Sequence, residues 1–193
     1  VHQGDLDGIK GLYHINAVDC VTQWQVVASV QAISEAHLLS VIEEMLAQFP
    51  FEILGFHADN GSEYVNYKVA RLLDKLRIEF TRSRPRHSND NGLAETKNGA
   101  VVRKEFGYEH IHRRHAARFD TFCREYLNPF LNYHRPCLFA TELADPKKPG
   151  RIKRVYRPRD VMTPLDKLAS LCDAAGFLRS GVTLPELQQL ATA

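Results

Sequence analysis

Two carboxylates stand out by position. Asp59 follows the apolar run FEILGF in the stretch HADNGSEY, just before the chain turns at Asn60 and Gly61. An acid at the end of a buried strand is costly unless its charge is compensated, and a cation with a taste for oxygen ligands is one such compensation. Glu95 lies in RPRHSNDNGLAETKNGAVVRKEFGY, where Asn89, Asp90 and Asn91 offer caps for a helix that carries it in the first turn. A carboxylate there suits the helix dipole, so Glu95 alone reads as ordinary helix electrostatics. Thirty-five residues separate the two acids, and that distance sets the question of whether they act together.

The elements that must position them follow from the hydrophobic pattern. Residues 12–18 and 25–30 are rich in β-branched and apolar residues, and GDLDGIKG supplies turn chemistry before them. Residues 1–3 read as the tail of a truncated strand. From Ser34, an N-cap type, Leu38, Val41, Ile42, Met45 and Leu46 recur at helical spacing up to Phe49 and Pro50. Residues 51–57, short and apolar on both faces, read as a central parallel strand with Asp59 at its carboxyl end, the edge where open α/β sheets place ligands. A helix through Val65, Val69, Leu72, Leu73 and Leu76 and a strand at 78–81 come next. The order β-β-β-α-β-α-β is mixed, not doubly wound. A last core helix is expected over 115–130, lined by Ala116, Phe119, Phe122, Cys123, Tyr126 and Leu127, with Asn128 and Pro129 loosening its end.

The sequence D-N-G-S-E-Y, followed at this spacing by N-G-x-x-E, resembles the catalytic core of retroviral integrases and insertion-sequence transposases of the D,D-35-E type. The resemblance runs from Val1 to about Arg135 and extends to NAVDCVTQW and NYHRPC. It implies an α/β, RNase H-like fold: a mixed five-stranded sheet flanked by helices, with a small, mainly helical C-terminal extension. It also implies catalytic and metal-binding roles for Asp59 and Glu95. In-line displacement at a phosphodiester is helped by two divalent ions about 3.5–4 Å apart, one at the attacking oxygen and one at the leaving oxygen. Hard ions such as Mg2+ or Mn2+ prefer carboxylate oxygens. The implied reaction is cleavage at transposon ends and transfer of the 3′-hydroxyl to target DNA, by a protein that is a homo-oligomer when active.

The family's third acid, in the middle of the first strand, is expected immediately upstream of Val1. Asp5 is the alternative within the chain, and Asp19 sits where the family often has a non-catalytic Asp. Lys97, Arg103 and Lys104 are expected to grip DNA phosphates. Retroviral integrases carry lysines one and two turns after the catalytic Glu, whereas Gly99 and Val102 occupy those positions here.

Charge points the same way. The net charge is only +2, but residues 147–159 hold seven Lys or Arg and no acid, and this asymmetry favours a polyanion. Lys153 and Arg154 are expected to contact DNA from this stretch. The chain divides into a catalytic core at 1–137, a basic Pro-rich arm at 138–162 and a helical extension at 163–193. The extension contains two capping-box starts, Thr163 with Asp166 and Thr183 with Glu186. No window approaches the run of about 18 apolar residues that a membrane span needs. No Walker or Rossmann phosphate loop supports a nucleotide cofactor. Cys20, Cys123, Cys137 and Cys172 lie far apart, which suits a reducing, cytoplasmic setting with access to chromosomal DNA. His110, His112 and His115 read as a solvated segment rather than a metal site, and Trp24 as core. Two other readings stand beside the transposase: an RNase H-like nuclease and a domesticated DNA-binding remnant without catalysis.

Overall fold

The computed structural model describes residues 1–58, 67–82, 92–144 and 150–192. The first hairpin pairs β1 (Asp5–Leu6) with β2 (Ile9–Lys10). Asp7 and Gly8 make its turn at φ 52° and 76°, the left-handed pair that an Asp-Gly hairpin loop adopts. Before it, residues 1–3 run antiparallel to the start of β3 (Tyr13–Val18). His14 N donates to Val1 O at 2.8 Å and Gln3 N to Leu12 O at 2.9 Å. Gly11 is required here, because a Cβ would meet Gln3 O at 1.8 Å.

β3 pairs antiparallel with β4 (Gln25–Val30), and every residue of β4 is buried. Alternation sends Val26, Ala28 and Val30 into one apolar cluster and Val27 into another. The first cluster takes Leu38, Ile42, Met45 and Leu46 from α1 (Glu35–Ala47) and Val69, Leu72 and Leu73 from α2 (Tyr67–Lys75). Trp24 is core as expected, edge-on to Phe51 and Tyr133.

The second cluster takes Val101 and Val102 from a helical run that starts as α3 (Gly92–Lys97), widens into π-type turns over Asn98–Arg103 and ends as α4 (Lys104–Phe106). It also takes Cys123, Leu127 and Leu131 from α5 (Ala116–Phe122) and its π-type continuation over Cys123–Leu127 and Phe130–His134. The helix therefore runs past Asn128 and Pro129 instead of loosening there. Its wide turns also rotate the buried face, so that Phe122 and Tyr126, expected inside, are 43% and 64% exposed.

Asn128 and Asn132 explain why this helix lies along β4. Asn128 accepts from Val27 N at 2.8 Å and donates to Val27 O at 3.0 Å. Asn132 does the same with Gln25, at 2.8 Å each way, and Asp120 accepts from Ser29 N at 2.9 Å. Side chains four and eight residues apart on one helix thus take the place of a neighbouring strand and cover the β4 edge.

The expected central strand at 51–57 shortens to β5 (Gly55–Ala58), which pairs parallel with β6 (Glu79–Arg82). Upstream of it the backbone is already engaged, since Phe51 bridges to Leu178 and Glu52 N donates to Phe177 O at 2.8 Å. The described ladders are four two-stranded sheets, where the sequence reading expects one sheet of five strands. The stretch expected as a basic arm forms a ribbon of β7 (Cys137–Ala144) and β8 (Ile152–Met162), with a register shift between Leu138 and Ala140. Both capping boxes are present, at Thr163 before α6 (Pro164–Ala169) and at Thr183 before α8 (Leu184–Leu190); a short α7 (Ala174–Phe177) lies between. These helices dock on the core, with Leu165, Leu168 and Leu187 entering the first cluster. Arg179 reinforces the seam by donating to the carbonyls of Leu46, Ala47 and Phe51.

Candidate active site

Glu95 stands in the first turn of α3 with its side chain exposed. Thr96 Oγ1 closes the same turn onto Gly92 O at 2.7 Å. The helix is held to the sheet by Asn16 of β3, whose amide donates to Ala94 O at 3.4 Å and to Asn98 Oδ1 at 3.0 Å. Gln25 Nε2 in turn donates to Asn16 Oδ1 at 2.8 Å. The backbone on one side of Glu95 and the Asn98 side chain on the other are thus tied through Asn16 to both β3 and β4. Asn16 is part of the NAVDC motif, and the sequence signal for this role is a polar side chain amid strand residues of apolar type.

Asp59 lies outside the described residues. The last residue before it, Ala58, ends β5 at a buried position. Among the described residues no group of three or more His, Cys, Asp or Glu side chains is arranged to hold a metal ion. The chemistry of the donors nevertheless suits a hard cation: Glu95 offers exposed carboxylate oxygens, and the sequence adds Asp59.

Two other acids have clear occupations. Asp5 is exposed in the first hairpin, and its Oδ1 accepts from Gly8 N at 3.1 Å. Asp19 folds the β3–β4 turn, where Oδ2 accepts from Thr22 N at 2.6 Å and from Thr22 Oγ1 at 2.7 Å.

The expected DNA contacts divide into inward and outward groups. Lys97 is buried, 5% exposed, with Nζ 3.1 Å from Cys137 Sγ; it points into the fold and not toward solvent. Arg103 is half-buried, donating to His2 O at 2.8 Å and packing over the Tyr108 ring at 4.9 Å. Lys104 and Lys153 are exposed. Arg154 is exposed but faces Glu142, with Nε 3.1 Å from Oε1.

Two buried titratable groups support the frame. His14 is stacked on Phe106 with ring centroids 4.2 Å apart, and its Nδ1 lies 2.9 Å from Ser29 Oγ. Burial, with a smaller push from Arg103, pulls its pKa down to about 3. Burial likewise drives the Cys123 thiol up to about 12.

Comparison with known proteins bears directly on this arrangement. Residues 2–88 match the integrase core domain family. The match covers a little under half of the chain, includes Asp59 and stops short of Glu95. An uncharacterized protein, y4rM of Sinorhizobium fredii, is 32% identical over 90 residues, which are 47% of this chain and 26% of that protein. The chain thus spans about a quarter of the length of this relative. A chain in the cryo-EM structure of the simian T-cell lymphotropic virus intasome, in complex with PP2A regulatory subunit B56 gamma, superposes with a TM-score of 0.52 at 16% identity. The superposition covers 70% of this chain and 46% of that one. This likeness places the fold in the α/β, RNase H-like class. Beyond the matched stretch, Val101 and Val102 of the Asn98–Arg103 turns and Cys123, Leu127 and Leu131 of the helix from Ala116 join Val27 of β4 in the second apolar cluster. No helix among the described residues is long and apolar enough to cross a membrane.

Proposed function

We propose that the chain is the catalytic core of a DNA transposase or integrase, acting through Asp59, Glu95 and an acid on the strand that precedes Val1. The observation that carries the reading is the setting of Glu95: it is exposed on a helix tied by Asn16 to β3 and β4, which lie in the stretch that matches the integrase core domain family. Asp59 follows directly on β5 in the same matched stretch.

The register of the first segment supports the upstream acid. Val1 lies beside His14 and His2 opposite Tyr13, so the antiparallel run extended backward would pass Ile15 and Asn16. That path approaches the helix of Glu95, whereas Asp5 lies at the other end of the segment and is spent on its own turn. Val1 packs in the second cluster and Gln3 Nε2 reaches the carbonyls of Phe106, Gly107 and Glu109, so both face the helical run. By alternation the next side chain on that face is two residues before Val1, while the position immediately before Val1, expected from the sequence, faces the other way, so the proposed acid moves one residue further upstream.

Asp59, Glu95 and the upstream acid would hold Mg2+ or Mn2+. Bound there, such ions supply an activated attacking oxygen and charge stabilisation at the leaving oxygen. The chain's own part is to fix the carboxylates: Asn16 sets the helix of Glu95, and the β5–β6 pairing sets the chain leading to Asp59. DNA is the substrate, at element ends and target, with exposed Lys104 and Lys153 among the phosphate contacts. Assembly as a homo-oligomer, a sheet completed to five strands and origin in an insertion sequence belong to the same proposal.

Manganese titration of the full-length protein tests the metal assignment. Asp59→Asn and Glu95→Gln should each weaken the binding isotherm while leaving the thermal midpoint in metal-free buffer level or raised. Wild-type titration by both variants would remove these residues from the site.

A further inference from the structure

The buried pair Lys97 and Cys137 has no part in the function above, and its geometry is unusual for a core. Lys97 Nζ lies 3.1 Å from Cys137 Sγ, and the two residues are 5% and 6% exposed. A buried ammonium normally meets a carboxylate or several carbonyls, because the desolvated charge needs strong acceptors. Here the sulfur is the acceptor for Lys97 among the described residues. Arg135 adds a second cation, with Nη1 3.9 Å from the same sulfur, and its Nη2 reaches Ala100 O at 3.4 Å. Peroxide oxidises a cysteine sulfur to a sulfenic acid, which can condense with a nitrogen held against it.

We propose that Lys97 and Cys137 form a reversible sulfur–nitrogen cross-link on exposure to a peroxide. In the first step the Cys137 sulfur attacks one peroxide oxygen, the O–O bond breaks, and the thiol becomes a sulfenic acid with release of water. In the second, Lys97 Nζ displaces the sulfenic oxygen as water, forming the S–N bond of a sulfenamide; the protons lost from the ammonium pass to that leaving oxygen and to solvent. Sulfur has lost two electrons, and the peroxide has been reduced to two waters. A thiol donor reverses the link by attacking sulfur and returning the amine.

The bond would join α3, two residues past Glu95, to the first residue of β7. It would thereby fasten the helix of Glu95 to the base of the ribbon. Cys123 is a poor competitor for the same chemistry, since burial pushes its thiol up to about 12 and its neighbour is the Ser29 hydroxyl at 3.7 Å.

The test is intact-mass and peptide-mapping mass spectrometry of the protein before and after dilute hydrogen peroxide. A Cys20→Ser, Cys172→Ser background removes the two exposed thiols. The expected product is lighter by two hydrogens, yields a Lys97–Cys137 cross-linked peptide and returns to the starting mass with dithiothreitol. Lys97→Arg, which keeps a cation but not the amine, should instead gain oxygen at Cys137. Added oxygen on Cys137 with Lys97 still open to acetylation in the unsubstituted pair would overturn the proposal. So would a Cys137 that stays unmodified, or a cross-link mapped to Cys123.

Discussion

At the scale of single residues, burial separates side chains that serve the fold from those left free for chemistry. Glu95 is exposed, so Glu95→Gln should change stability by less than about 0.5 kcal/mol while removing metal-dependent turnover. Lys97 gives the opposite expectation. Lys97→Ala should cost about 2 kcal/mol in urea unfolding through poorer packing, and should leave the salt dependence of DNA binding unchanged. The sequence reading expected Lys97 on DNA phosphates and missed this contrast, although residues two apart on a helix do not share a face and an outward Glu95 turns Lys97 inward. The thiol that receives it was not legible, since Cys137 is forty residues away in the chain. His14 carries a pH prediction. Its folded pKa of about 3 lies below the ordinary value of 6.5, so below pH 6.5 the unfolded chain takes up a proton that the folded protein refuses. The stability from neutral His14 is fully present above about pH 6.5 and falls toward pH 3, by at most about 1.4 kcal/mol per pH unit. His14→Gln should flatten this slope in denaturant titrations across that window; an unchanged slope would assign the acid sensitivity to other groups.

At the scale of elements, the sequence reading succeeded where periodicity decides and fell short where pairing decides. The helix of Leu38, Ile42 and Met45, the Asp-Gly hairpin and both capping boxes follow from local pattern and are present. The role of Asn128 and Asn132 depends on a bare strand edge 101 and 107 residues away, which no local pattern announces. Asn128→Ala should leave Val27 N–H and C=O without these partners and cost about 2–4 kcal/mol in urea unfolding. A cost below about 0.5 kcal/mol would mean that water replaces the amide at no loss. The basic stretch was legible as charge but not as the β7–β8 ribbon, because its Pro and Lys content hides the alternation. On that ribbon Arg151, Lys153, Arg157 and Arg159 have no ion-pair partner among the described residues, while Arg154 has Glu142. Replacing those four with Ala should lower the slope of log affinity against log salt by roughly 0.9 for each phosphate that is no longer neutralised, with Arg154→Ala having little effect.

At the scale of the molecule, the C-terminal helices belong to the main core. Leu165, Leu168 and Leu187 are 4%, 1% and 6% exposed within the first cluster, and Arg179 holds the carbonyls at the end of α1 and ahead of β5. Removing residues 163–193 should therefore broaden thermal unfolding and expose apolar surface, rather than release an independent core. Composition could announce these helices but not where they dock, since their apolar faces fit any complementary surface. The proposed function rests on carboxylates brought together to cut and join DNA, and strand transfer by the full-length protein on element-end DNA tests it most directly. With Mg2+ or Mn2+, wild type should join a 3′-hydroxyl end to target DNA, while Asp59→Asn and Glu95→Gln, folded to the same thermal midpoint, should give no product. Strand transfer that persists in either variant, or a wild-type protein that binds the ends yet neither cuts nor joins them, would contradict it.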